Sequence, residues 1–461
     1  MDDIVKFTKM PVRSRFVLAA LFCSQAIYCA GNSQFLWLSD IHFDPFADPA
    51  LVDRLAVSES SAWPAILENS RDKRLPSFGE DTNWQLFSSA LQAIRHTAPA
   101  PAFAIVTGDL LAHSFRGTFD DVATNHSDVA YRSFVRKTYE FVGAQLRALV
   151  PNGPIFLSLG NNDDYCGDYA IAPNGPFLSD TSAVIARWSG LEADPALSRD
   201  WQTLGSYGAP HPSKHKQRIL VLNTNFFSPK YRNTCGDATG EPGDQLLAWL
   251  EKQLKNARQK RERVWLVEHI PPGVDGFATS RQTNNAAPVM LWKPSYQARF
   301  NALLELYRRT VDVTLAGHTH VDDVRLAGSD RNQVVLIEPA LSPIYNQNPA
   351  FRMVDVDARG RIRDYTTYFL DLANTAKSPF WMQEYQWDEA WHVHRPDAKT
   401  IRHVWQRASK PGANQDLWTL YYPVQHTHSV INTRNFPQLF CASGYTAVQE
   451  YETCLAEIGS R

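Results

Sequence analysis

Short apolar, β-branched runs alternate with stretches of helical period along most of the chain. Runs of this kind, closed by Gly, Asn, Asp or Pro, predict strands at 35–39, 103–107, 155–159, 219–223, 264–268, 313–316 and 334–338. Two further stretches, 352–357 and 362–369, alternate apolar and polar as half-buried strands do. Between the runs, Trp84, Phe87, Leu91 and Ile94 repeat at helical spacing, with Asp81 or Thr82 as the expected N-cap. Phe134, Val135, Val142, Leu146 and Leu149 mark a second helix. Leu246, Leu247, Leu250 and Leu254 mark a third, and Phe300, Leu303, Leu304 and Tyr307 a fourth. Strands alternating with helices predict an α/β layered core over residues 33–377. Beyond 378 the alternation ends, and Trp381, Tyr385, Trp387, Trp391, His403 and Trp405 lie in polar, helix-like sequence. Residues 378–461 are therefore expected to form a helical C-terminal extension packed on the core.

Composition sharpens this in two places. At 461 residues and 44% hydrophobic, the chain has material for a large core and is not disordered. Its 46 Lys and Arg balance 48 Asp and Glu, so no surface of the kind that nucleic acids require is expected. At the N-terminus, Lys6, Lys9, Arg13 and Arg15 precede an apolar run at 16–22, the pattern of a signal peptide over residues 1–30. Ser24 and Gln25 interrupt the run short of the ~20 residues of a membrane span. Export to a periplasm, the cell exterior or a lumen is implied. Cys23 and Cys29 would leave with the signal, and Cys166, Cys235, Cys441 and Cys454 remain. Four cysteines in an exported chain favour disulfides, with three pairings open. The favoured one closes Cys441–Cys454 as a short local loop and bridges two long loops through Cys166–Cys235. No C-x-x-C pair exists to hold zinc by thiolates.

The chemistry sits at the strand ends. The first expected strand ends in Asp40-Ile-His42 and the second in Gly108-Asp109. The third ends in Gly160-Asn161-Asn162-Asp163, the run at 264–268 leads into His269, and that at 313–316 ends in Gly317-His318-Thr319-His320. Alone, each has an ordinary reading: Gly and Asn suit turns, and a single His is commonly a hydrogen-bonded structural residue. Together they present imidazoles, carboxylates and a carboxamide at five strand ends, where open α/β sheets place their ligands.

This ordered set resembles the calcineurin-like metallophosphoesterase superfamily. Gly108-Asp109-Leu-Leu-Ala-His113, Leu222-Asn223-Thr-Asn225-Phe226, His269-Ile-Pro-Pro-Gly273 and Asn348-Pro-Ala-Phe-Arg352 are similar to the acid sphingomyelinase-like branch. The resemblance runs from about Phe35 to Leu370, without the saposin-type domain that precedes acid sphingomyelinase itself. It implies a four-layer α/β/β/α sandwich and two metal ions bridged by Asp109. Asp40, His42 and His320 would complete one site, and Asn161, His269 and His318 the other. Zinc suits an imidazole-rich exported site, with manganese or iron as alternatives. Two such cations would activate a bridging water for in-line attack on phosphorus. The implied activity is phosphodiesterase hydrolysis of a phosphodiester or phosphoanhydride. The alternatives are a phosphomonoesterase or nucleotide pyrophosphatase, or a metal-loaded binding protein with weakened catalysis. The substrate would be a small phosphate ester, a nucleotide or a phospholipid head group, with membrane contact only for a lipid.

One residue departs from the pattern. Where the family usually has a His after the Asn ligand, this chain has Asn162, and a carboxamide cannot deliver a proton. The reading favoured here makes His113 the general acid acting alone, with Asn162 beside it at the catalytic position. Asn223 and Asn225 are expected to bind substrate, Tyr345 and Asn346 to form cleft wall, and Asp163 and Asp164 to orient their loop. His392, His394, His426 and His428 repeat the H-x-H spacing without a preceding strand and are read as surface or packing residues.

Overall fold

The computed structural model describes residues 33–459, apart from 99, 234, 236–239, 283–286, 329, 376–378 and 427–429. The proposed signal peptide and His428 lie outside the described residues. Two sheets carry the fold. The first has the order β12-β11-β10-β1-β2-β3, formed by Trp381–Gln386, Ile362–Leu370, Ala350–Val356, Ser33–Leu38, Ala104–Val106 and Ile155–Leu157. The second has the order β13-β8-β9-β7-β6-β5-β4, formed by Gly444–Tyr445, Asp323–Ala327, Gln333–Ile337, Val311–Ala316, Arg263–Val267, Gln217–Val221 and Tyr207–Pro210.

The sheets face each other through aromatic side chains. Phe35 of β1 meets Trp265 of β6 with ring centroids 5.6 Å apart, and His211 sits edge-on between Phe103 and Trp265. Helices Trp84–Thr97 and Asp128–Arg147 lie on one side, and Pro242–Lys260 and Pro294–Leu306 on the other, completing an α/β/β/α sandwich. Each sheet holds a parallel set: β1, β2 and β3 run to one edge of the first, and β5, β6, β7 and β9 form the centre of the second. Buried on both faces, these strands are continuous apolar runs, so they stand out in the sequence. Their C-terminal ends point to one edge of the sandwich, and that edge carries the five motifs.

Three local differences from the sequence reading have physical causes. The helix at Trp84 is capped by Asn83, whose side chain accepts from the Leu86 N–H at 3.1 Å; neither Asp81 nor Thr82 caps it. The segment after 378 begins as a strand: β12 pairs antiparallel with β11 at the sheet edge. An edge strand exposed on one face alternates weakly, and Trp381 and Tyr385 there match helical spacing equally well. Later the chain adds β13 beside β8, so the extension supplies an edge strand to each sheet around its helices. Disulfides join Cys166 to Cys235 and Cys441 to Cys454. No helix among the described residues is long and apolar enough to cross a membrane.

The Asn348-Pro-Ala-Phe-Arg352 stretch is a clamp in the core. Buried Arg352 pairs with Asp322 and with Glu338 at 3.3 Å, and packs over the rings of Trp37 and Tyr365. It ties β10 of one sheet to the turn following His320 at the metal edge of the other.

Candidate metal centre

Each strand end turns sharply. Asp40, His42, Asp109, His318 and His320 all have left-handed backbones, with φ of 47°, 42°, 52°, 72° and 61°. Such conformations cost non-glycine residues roughly 1 kcal/mol or more each, and they persist where neighbours over-determine them. The neighbours here are the other motifs: the His42 N–H donates to the Asp109 carbonyl at 2.9 Å and the Gly317 N–H to the His269 carbonyl at 2.9 Å. Two glycines are set by close approach. A Cβ on Gly108 would stand 2.5 Å from His269 Nδ1, and one on Gly317 would stand 2.0 Å from Ser39 Oγ.

Asp40, His42 and His320 form one group, with His320 Nε2 3.2 Å from Asp40 Oδ1 and 3.3 Å from His42 Nε2. Around His269 a second group forms: its Nε2 lies 3.1 Å from Asn161 Oδ1 and 3.2 Å from His318 Nδ1. Asp109 Oδ2 stands between the groups, 3.4 Å from both His42 Nε2 and His269 Nε2. The expected metal ligands are thus brought together in two groups joined by one carboxylate.

The donor atoms suit cations. His42 Nδ1 lies 3.0 Å from the Leu111 carbonyl and His269 Nδ1 2.6 Å from the Thr107 carbonyl. Each ring therefore donates backward from Nδ1, and in its neutral form aims an Nε2 lone pair inward at oxygens and nitrogens that are themselves acceptors. Asp40 Oδ1 is buried without a hydrogen bond. Separations of this size match the edge of a tetrahedron, about 3.3 Å for metal–ligand bonds of about 2.0–2.1 Å. Where neighbouring acceptors converge at these distances, a divalent ion fits.

The same convergence sets the protonation states. Burial works against charge on His42, but Asp109 and Asp40 outweigh it and push the group up to about 10. Burial likewise opposes charge on His269, which Asp109 pushes up to about 9. Burial alone would raise Asp40; the surrounding imidazoles instead hold it well below the usual carboxylate range. His318 is held neutral by burial and by the charge of His269, and burial likewise lowers His320. A raised histidine is protonated below its pKa, and a ligating one must be neutral. Metal entry at pH 7 is therefore expected to expel about two protons per chain. Titration calorimetry in buffers of different ionisation enthalpy measures that number. Affinity should climb with pH, by up to about a hundredfold per unit until pH 9, and flatten above 10.

His113 borders the first group. Its ring stacks on His42 with centroids 4.2 Å apart, its Nδ1 lies 3.0 Å from Asp81 Oδ1, and its Nε2 faces Tyr345 Oη at 3.4 Å. Asp81 also accepts from the His113 backbone N–H at 2.7 Å and from Ser342 Oγ at 3.1 Å. Burial raises the Asp81 carboxyl, but His113 and His42 bring it below its ordinary value, so it stays anionic. Released from capping by Asn83, Asp81 fixes the tautomer of His113 and leaves Nε2 toward the cleft. No residue spacing links Asp81 to a strand end, and sequence reasoning missed this role.

Asn162 does not face open space. Its Nδ2 donates to Asp109 Oδ2 at 3.0 Å and its backbone N–H to Asp109 Oδ1 at 2.8 Å. Its carboxamide is turned onto the bridging carboxylate. Asp163 knits two motifs together, accepting from the Leu110 N–H at 2.9 Å and the Gly160 N–H at 2.9 Å. Asp168, also missed, accepts from Asn161 Nδ2 at 2.7 Å and so turns the Asn161 oxygen toward His269. Asn223 and Asn225, expected to bind substrate, do not line the cleft over the centre. Both are fully buried, and Asn225 Nδ2 holds the Gly160 carbonyl at 2.9 Å and Asn223 Oδ1 at 2.9 Å. They brace the Asn161 turn from beneath. His392 and His394 are exposed, while His426 stacks on Phe78 and bonds the Asn346 carbonyl.

A cleft of about 310 Å³ runs over the centre. His113 and Tyr345 line it, as do the apolar Phe277, Leu291, Val430 and Leu439, so the extension forms part of its wall. Tyr169 and Lys230, whose Nζ lies 5.3 Å from the Tyr169 ring centroid, form one side.

A family model described as Calcineurin-like phosphoesterase matches residues 33–322, more than half of the chain. Acid sphingomyelinase-like phosphodiesterase 3b of Mus musculus is 26% identical over 448 residues, covering 93% of this chain and 91% of that protein. Cyclic GMP-AMP phosphodiesterase SMPDL3A of Mus musculus is 26% identical over 451 residues, covering 92% of each. Sphingomyelinase phosphodiesterase D of Dictyostelium discoideum is 25% identical over 380 residues, covering 77% of this chain and 79% of that protein.

Proposed function

The chain belongs to the calcineurin-like phosphoesterase family and is a metallophosphoesterase, and from that premise we propose an exported phosphodiesterase holding two zinc ions. Asp40, His42 and His320 would hold one ion, Asn161, His269 and His318 the other, with Asp109 between them. When bound, two divalent cations supply an activated water and neutralise charge developing on phosphorus. The protein's own groups do the rest. Asp109 fixes the spacing of the two groups, Asp168 orients Asn161, and Asn162 holds Asp109 in place. His113, oriented by Asp81, protonates the departing oxygen from Nε2.

The observation that carries the diester reading is the cleft. Its lining joins the metal groups to His113 and Tyr345 and also to an apolar recess, and that extent beyond the centre gives room for two ester substituents. The recess of Phe277, Leu291, Val430 and Leu439 suits an aromatic or apolar substituent, as in a nucleotide or a phospholipid head group with its attached chain. Relatives named for sphingomyelin and for cyclic GMP-AMP fall within that range. Export is supported by the disulfides and by the basic-then-apolar N-terminal pattern.

The test is hydrolysis of bis-p-nitrophenyl phosphate beside p-nitrophenyl phosphate by mature protein, stripped of metal and reloaded with zinc or manganese. Metal-dependent turnover with kcat/KM favouring the diester at least tenfold is expected. Preference for the monoester would replace the reading with a phosphomonoesterase, and greater activity with manganese would overturn zinc.

A further inference from the structure

At the end of the sandwich opposite the metal centre, the chain gathers positive charge that its net balance conceals. The helices Pro242–Lys260 and Pro294–Leu306 both end there, where β6 and β7 begin. A concavity of about 570 Å³ is lined by Arg258, Arg261, Arg263, Arg308 and Arg309, with Glu262 as its acidic member. Of the acids at this end, Glu262 faces Arg218 at 4.0 Å, Asp312 pairs with Arg263 and Asp357 lies 3.7 Å from Arg361, while exposed Glu305 precedes Leu306 and Asp330 feels the charge of Arg308, so the arginines outnumber the acids beside them. Lys260, Arg261, Arg308 and Arg309 are exposed and form no ion pair among the described residues.

Cations near a helix C-terminus also favour its dipole. That does not account for Arg261, which follows the last turn with φ of 55°, a left-handed position that glycine occupies without steric cost. Nor does it account for Arg308 and Arg309, which follow the end of their helix. Beside them Leu306 is 57% exposed, an apolar side chain standing among arginines. An exposed apolar residue in a face where arginines outnumber acids matches a bilayer, whose head groups take the charge while the leucine enters the acyl boundary.

We propose that this face docks on anionic phospholipid membranes, with Arg261, Arg308 and Arg309 contacting phosphate-bearing head groups and Leu306 inserted between them. The five residues of β6 separate the face from the metal edge by about 17 Å. Docking therefore leaves the cleft open on the side away from the bilayer, and membrane contact does not require a lipid substrate.

The experiment is flotation of the metal-loaded mature protein with vesicles of phosphatidylcholine alone or with 30% phosphatidylserine, at rising NaCl. Binding to the anionic vesicles alone is expected, weakening as salt screens the contact. Arg261→Gly should lower partitioning about fivefold, and Arg261→Gly with Arg308→Gln and Arg309→Gln about a hundredfold. Hydrolysis of bis-p-nitrophenyl phosphate should be unchanged in both. Arg261→Gly relieves the left-handed backbone, so its thermal midpoint should hold or rise, separating a lipid-binding arginine from a structural one. Equal binding to neutral vesicles, or partitioning indifferent to these substitutions, overturns the proposal. Retention on immobilised heparin without vesicle binding also overturns it, in favour of a soluble polyanion.

Discussion

Asp109→Asn is expected to cut turnover of any phosphodiester by at least about 10³-fold, the scale for losing electrostatic stabilisation in a closed site. It should also leave fewer than two metal ions per chain. The reason is the position of Asp109 Oδ2, equidistant at 3.4 Å from the inward nitrogens of His42 and His269. An amide oxygen is neutral and its nitrogen is a donor, so Asn can satisfy one cation at most and repels the second. Fold should survive, because the Gly108-Asp109 backbone remains tied to Asp40 and His42 by main-chain hydrogen bonds. Metal analysis after gel filtration, with kcat/KM for bis-p-nitrophenyl phosphate, gives both readings. His394→Ala, at an exposed site in the extension, is the matched control and should change neither. Two bound ions with more than a tenth of normal activity would remove Asp109 from the bridging position.

What could be read from the sequence, and what could not, follows from how far each role depends on local context. The strands carrying Asp40, Asp109, Asn161, His269 and His318 are buried on both faces, so their apolar runs are continuous and their ends sharp. The residues just beyond those ends are read with little ambiguity. Asp81 lies in a loop and its partner His113 is 32 residues away, so only the fold brings them together. Its capping role was equally plausible, and Asn83 two residues later took it. Asn223 and Asn225 were legible as a pair but not as to direction: the side chains point beneath the Asn161 turn rather than into the cleft. Asn162 was visible as a departure, while its contact with Asp109 required coordinates. The basic face escaped because its arginines come from two segments some fifty residues apart, and a balanced total charge hides a local excess.

His113→Ala is expected to act selectively, and the selectivity is the informative part. A general acid matters when the departing oxygen is a strong base and matters little when it leaves unaided. For a diester with an alkyl leaving group, the substitution should cost roughly 10²–10⁴ in kcat/KM; for p-nitrophenyl esters the loss should be under about tenfold. The alkyl loss belongs toward the upper end of that range because Asn162, at the position of a second histidine, carries no transferable proton and is bound to Asp109. Asp81→Asn keeps a hydrogen-bonding oxygen for Nδ1 but weakens the carboxylate contact that orients the ring, so an intermediate loss with the same leaving-group dependence is expected. The measurement is a series of methyl aryl phosphodiesters of graded leaving-group pKa, plotted as log kcat/KM for wild type, Asp81→Asn and His113→Ala. A steepening slope across the three places His113 at the departing oxygen. Equal losses along the whole series would instead make it a residue that merely positions His42, on which its ring is stacked.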